Sequence, residues 1–217
     1  MTTQDPPAPE GTALALIDAG MALFGTKGFA ATSTRELAER AGTNVASISY
    51  HFGGKEALRR ACAEEFVRRL RAAIGTLPDP DALSPDAARE AMKAILRAMV
   101  LRVLADAKSR PMVNFMVREI TENTEISAAF YDTFLAHMHQ RLCRLWSIAT
   151  GEPAEDGATK LRVFSVFGQL LYFRLGADIV SRRMGWTELG PREAEEIYQT
   201  LAGNLDAMLA QARRAVP

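Results

Sequence analysis

The chain has 217 residues, 48% of them hydrophobic and 24% charged, with 26 lysines and arginines balancing 26 aspartates and glutamates. Enough apolar matter is present to bury a core and to exclude intrinsic disorder, while a net charge of zero excludes a chain that coats phosphate along its whole length. Any contact with nucleic acid must be local.

The longest stretch without formal charge, residues 41–54, is too short and too polar to span a membrane. Met1–Glu10 lacks the basic region and apolar run of a secretory leader, so the expectation is a cytoplasmic protein with no membrane partner. Cys62 and Cys143 each stand alone in an amphipathic segment. They read as small core side chains, and no disulfide framework, metal or cofactor is expected.

Residues 1–10, with Asp5 and three prolines, read as a disordered tail. Leu14, Ile17, Met21 and Phe24 then fall on one face of a helix from Gly11 to Gly28. Ser33 and Glu36 have capping-box spacing and open a short helix to about Ala41. Gly42 interrupts, and a helix from about Asn44 to His51 turns Ile48 and Phe52 inward. Lys55 starts a longer helix with Leu58, Cys62, Phe66 and Leu70 on its stripe, ending near Pro78–Pro80. The short segment Leu77–Leu83, rich in Pro and Asp, divides the chain into a helix-turn-helix domain at 11–76 and a larger domain at 84–217.

Ser84, Pro85 and Asp86 supply an N-cap, a first-turn proline and a dipole-compatible acid for a helix carrying Met92, Ile95, Met99 and Val103. Pro111 opens a short helix with Phe115, Met116 and Glu119, and Glu125–Ala149 forms a long one with Phe130, Phe134, Met138, Leu142 and Leu145. Ala158–Met184 is apolar around nearly its whole circumference, so one side meets the core and the other needs a second cover. Pro191 starts the last helix, striped by Ile197, Leu201, Leu205 and Met208. No alternating apolar run marks a strand. The expectation is an all-α protein of about nine helices.

Between Ser33 and Lys55, two short helices joined through Gly42 match the spacing of a helix-turn-helix, although small bundles use the same turn purely for packing. The chemistry favours DNA. Asn44, Ser47 and Ser49 are small hydrogen-bonding groups suited to base edges on a helix in the major groove. Thr32, Ser33, Thr34 and Arg35 at the start of one helix, Tyr50 and His51 after the next, and Lys55 at the start of the following one suit phosphates. From Thr26 to Arg60, six basic residues stand against Glu36, Glu39 and Glu56, a local excess of three positive charges.

The string Thr34, Arg35, Leu37, Ala38, Ala41, Gly42, Ile48, Tyr50, His51, Phe52, Lys55, Glu56 and Leu58 resembles the N-terminal domain of the TetR family of transcriptional regulators over roughly residues 11–60. The resemblance implies a homodimeric repressor with a three-helix helix-turn-helix head and a helical ligand-binding and dimerisation domain. Carried over by position, Thr34, Arg35, Asn44, Val45, Ala46, Ser47, Ser49, Tyr50, His51 and Lys55 line the DNA surface. Val45 replaces a common Lys and Ser49 a common Tyr, so one phosphate contact and one ring are missing, and Val45 is free to touch a thymine methyl instead. Residues 167–174 and 182–186 look like the CecR-type subgroup of the family.

The same resemblance implies a double-stranded operator, a small-molecule effector, and a dimer through the last two helices, whose two-fold axis would match a pseudo-palindrome. Met99, Phe115, Met116, Phe134, Met138 and Phe164, with Glu119, His137, Tyr172 and Arg174 as polar groups, are the candidate pocket lining, although each apolar one is singly explicable as core. Two other classes stay open: a helical protein-interaction module, and an enzyme. Catalysis is not expected, since no Gly-x-Ser-x-Gly, phosphate-cradling glycine loop or His-Glu-x-x-His is present. His139 and Cys143, four apart, supply at most half a metal site.

Overall fold

The structure is a computed structural model that describes residues 9–106 and 109–215, and all regular structure among them is helical. The tail expected at 1–10 lies, as far as residue 8, outside the described residues. In chain order the elements are α1 (Gly11–Lys27), α2 (Thr34–Arg40), α3 (Ala46–Phe52), α4 (Lys55–Ile74), a 3-10 turn (Pro80–Ala82), α5 (Pro85–Val100), a π-helical stretch (Leu101–Ala105), α6 (Arg110–Thr121), α7 (Glu125–Phe130), a second π-helical stretch (Tyr131–Leu135), α8 (Ala136–Thr150), α9 (Gly157–Leu175), α10 (Ala177–Met184) and α11 (Pro191–Ala215).

Two of the nine expected helices are subdivided. Glu125–Ala149 is α7 and α8 with the second π-helical stretch between them. Ala158–Met184 is α9 and α10, bent by 77°. The bend is at Gly176, whose N–H closes α9 on Tyr172 O (2.8 Å) while its carbonyl opens α10 by accepting from Val180 (2.9 Å). A Cβ there would stand 3.1 Å from Tyr172 O, which favours a glycine at the corner. Among the described residues no single helix is long and apolar enough to cross a membrane.

The helices form two compact units. One takes the chain up to Arg68 together with Pro111–Ala128, and the other takes Arg69–Arg110 and the chain from Ala129 onward. This differs from a linear division at 77–83, because α6 packs with α1. A Cβ on Gly25 would lie 2.8 Å from Phe115 N and 2.9 Å from Pro111 O, so the two backbones touch. Met112, Phe115 and Met116 are buried with Leu16, Met21, Phe24, Leu37, Ile48 and Leu58. Full burial is worth about 1.5–3 kcal/mol for each large apolar side chain, which keeps a sequence-distant helix in this unit.

In the second unit α5, α8, α9 and α11 share one core, with Met92, Ile95, Leu96, Leu142, Leu145, Trp146, Val163, Val166, Ile197, Leu201 and Leu205 buried. Trp146 Nε1 donates to Glu152 Oε2 (2.9 Å), and Arg162 holds the same carboxylate at 2.6 and 2.7 Å, so the indole N–H inside the core is satisfied. Arg89 on α5 and Asp206 on α11 pair at 2.7 Å, and the guanidinium pulls the Asp206 carboxyl below its ordinary range.

Candidate DNA interface

The loop ahead of α2 is held from two sides. Thr32 Oγ1 donates to Gly28 O (2.8 Å), and Lys55 Nζ donates to Phe29 O (2.8 Å) and Thr32 O (2.7 Å). The Lys55 ammonium also lies 4.2 Å from the centre of the Phe29 ring, with the Arg59 guanidinium at 4.6 Å. Lys55, expected to face phosphate, therefore turns its charge onto the loop that presents α2.

Ser33 then caps α2. Its hydroxyl accepts from Glu36 N (3.2 Å), and Glu36 Oε2 accepts from Ser33 N (2.9 Å), the reciprocal capping box expected from the sequence. Lys27 pairs with the same carboxylate. The Lys27 bond, followed by those from Ser33, lowers the Glu36 pKa to about 2. Lys27, one of the six cations in the local charge excess, is thus paired within the protein.

Gly42, at φ +66°, makes the tight turn between α2 and α3. Asn44 Oδ1 accepts from the backbone N–H (3.0 Å) and the hydroxyl (3.2 Å) of Ser47, and the hydroxyls of Thr43 and Ser47 lie 2.8 Å apart. These side chains satisfy the start of α3, which begins at Ala46, two residues later than expected. Ile48 is buried and fixes the helix against the head, and Gly53 at φ +78° ends it.

Of the ten expected DNA-facing residues, Arg35, Asn44, Val45, Ala46, Ser49, Tyr50 and His51 are exposed, while Thr34, Ser47 and Lys55 are half-buried. Tyr50 is the most open at 85%, its ring edge-on to that of His51 at 5.0 Å. These residues lie on α2, at and within α3 and at the start of α4, and part of their polar complement, in Asn44, Ser47 and Lys55, is committed to internal bonds. Thr43 took no part in the expected surface, and its position one residue before Asn44 is the signal that could have included it.

The ten expected pocket residues divide between the two units. Phe115, Met116 and Glu119 are buried in the first unit, where Glu119 pairs with Arg59. Met99, Phe134, His137, Met138, Phe164, Tyr172 and Arg174 belong to the second unit. There Phe164 stacks on His139 at 3.8 Å, Tyr172 is 58% exposed, and Met138 borders an open hollow of about 300 Å³ with Arg71, Ile74, Gly75, Leu77 and Arg141. His139 Nε2 lies 3.2 Å from Lys160 O, and burial raises the Cys143 thiol pKa. Among the described residues no three His, Cys, Asp or Glu side chains converge on a cation.

A short exposed helix after a glycine turn, braced by a capped helix, has the geometry of a helix-turn-helix. Residues 16–62 match the model of the tetR family of bacterial regulatory proteins, and residues 88–212 match the C-terminal domain of the HTH-type transcriptional dual regulator CecR. CecR of Shigella flexneri is 33% identical over 204 residues, which are 89% of this chain and 89% of that protein. The chain belongs to the TetR family of transcriptional regulators. Its fold is that of a TetR-like regulator from Rhodococcus sp. RHA1 (20% identity, TM-score 0.65, covering 93% of this chain and 99% of that one). It is also that of AibR in complex with isovaleryl coenzyme A and operator DNA (19% identity, TM-score 0.67, 89% and 97% covered).

Proposed function

We propose that this regulator is a cytoplasmic homodimeric repressor that holds a palindromic operator and releases it when a small molecule binds the helical body. The observation that carries the dimer is the uncovered apolar face of α9 and α10. Leu161 is 71%, Leu175 61% and Ile179 69% exposed, and Phe164, Leu171, Tyr172 and Met184 are exposed beside them. A contiguous face of this kind marks an interface, and a second copy covers it isologously about a two-fold axis. The exposed face lies on α9 and α10, which together make up the first of the two helices expected at the interface.

A two-fold dimer presents two copies of α3, and a palindrome with half-sites about 34–36 Å apart, one turn of B-DNA, suits such a pair. An effector that binds better when the heads are at another spacing must weaken DNA binding by the same coupling free energy, typically about 1–3 kcal/mol. The seat we propose for it lies in the second unit, where the hollow lined by Ile74, Leu77 and Met138 is flanked by Arg71 and Arg141. Phe115, Met116 and Glu119 are occupied in the core of the first unit and are left out of this seat.

The test is sedimentation of the protein with a duplex selected from a random pool, before and after addition of candidate small molecules. Two chains per duplex, with release by at least one compound, is the expected result. One chain per duplex overturns the dimer.

A further inference from the structure

The exposed start of α3 presents methyl groups where reading bases by hydrogen bonds would need amides. Asn44 Oδ1 already accepts two bonds from Ser47, at 3.0 and 3.2 Å. A carbonyl oxygen has two lone pairs, so none is left for an adenine amine, and the two-bonded Asn–adenine contact is lost. The Ser47 hydroxyl is held between Asn44 and Thr43 and is half-buried. What faces outward over the first turn is Val45, 44% exposed, and Ala46, with Ser49 and Tyr50 one turn further on. Val45 with Ser49, and Ala46 with Tyr50, are i, i+4 neighbours, while Ile48 carries another side of the helix into the core.

Resting on the DNA-binding reading above, we infer that Val45 and Ala46 select thymines in each operator half-site by packing on their C5-methyl groups. The thymine methyl is the apolar group that base pairs offer in the major groove. A cytosine at the same position presents only a C5–H there, so the methyl contact is lost.

The test starts from the duplex that full-length protein selects from a random pool. Each thymine of one half-site is replaced in turn by deoxyuridine, which removes the methyl and nothing else. One or two thymines are expected to respond, each replacement weakening binding about fourfold, the equivalent of about 0.8 kcal/mol for one buried methyl-sized group. Val45→Ser abolishes the response at one of them and Ala46→Ser at a neighbouring one, with thermal melting confirming that both variants fold. Asn44→Ala lowers the melting temperature and leaves the responding thymines unchanged. A selected duplex indifferent to every deoxyuridine overturns this inference alone, as does a changed base preference in Asn44→Ala. Failure to select any sequence overturns the regulator reading with it.

Discussion

Arg59 on α4 grips Glu119 on α6 through two hydrogen bonds, Nε to Oε1 at 2.8 Å and Nη2 to Oε2 at 2.7 Å. The Glu119 side chain is only 3% exposed, and Thr124 Oγ1 donates to the same carboxylate at 2.6 Å. A carboxylate so far from water depends on its partner. Removing one member of a buried pair costs about 3–5 kcal/mol, whereas replacing both by apolar groups is often neutral. Arg59→Ala is expected to lower the unfolding free energy in urea by about 3 kcal/mol, and Arg59→Met with Glu119→Leu to recover most of that. An unchanged urea midpoint in the single variant would show the pair to be dispensable.

The capping box on α2 has a pH signature. The Glu36 pKa is lowered to about 2 from its ordinary 4.5. A depressed folded-state pKa stabilises above the unfolded value and loses that stabilisation as pH falls toward the folded one. The stability difference between the wild type and Glu36→Gln should be constant above about pH 5.5 and shrink steadily between about pH 4.5 and 2. Melting temperatures measured across that range check it, and a difference independent of pH refutes the ion-paired cap.

Gly25 is a contact between backbones. Its missing Cβ leaves room for Phe115 N and Pro111 O, which cannot move as a side-chain end would. Gly25→Ala should destabilise by about 1–3 kcal/mol through overpacking. Gly20→Ala meets mainly the Cys62 Sγ, at 2.7 Å, so Cys62→Ala should rescue it and should leave Gly25→Ala unrescued. Denaturation of the four variants decides.

Two cations of the head should behave differently on DNA. Lys55 is committed to the carbonyls of Phe29 and Thr32, and Arg35 is exposed at the start of α2. Each phosphate contact contributes about 0.9 to the slope of log affinity against log salt. Arg35→Ala should reduce that slope by about one unit, while Lys55→Gln should lower thermal stability and change the slope by clearly less. Equal slope changes would return Lys55 to the phosphate surface.

Charging the uncovered face of α9 should separate the copies. Leu171→Arg with Leu175→Arg is expected to sediment as a monomer and to bind the selected duplex roughly tenfold or more weakly, since two linked heads gain effective concentration that one head lacks. A dimer that persists moves the interface elsewhere.

Much of this fold is legible in the sequence because its helix starts are chemically marked. Ser33 with Glu36, and Ser84 before Pro85, open helices where those residue types satisfy free amides. Ile48 reads as the buried anchor of α3 from periodicity alone. The break at Gly176 was hidden, because a run apolar on every side has no stripe whose phase could slip. The place of α6 was hidden by distance along the chain: nothing local in residues 110–121 says that Phe115 packs near Gly25. At the site, residue types located the surface, but whether Asn44 faces a base or caps its own helix depends on geometry that composition does not carry.

The central claim is that the exposed side of α3 reads a defined DNA sequence. Its most direct test is a titration of the intact protein, at about 0.15 M salt, with a duplex selected from a random pool and with a scrambled duplex of the same composition. The expected result is a preference of roughly 10³-fold or more for the selected duplex. Equal affinity for the two duplexes would contradict it.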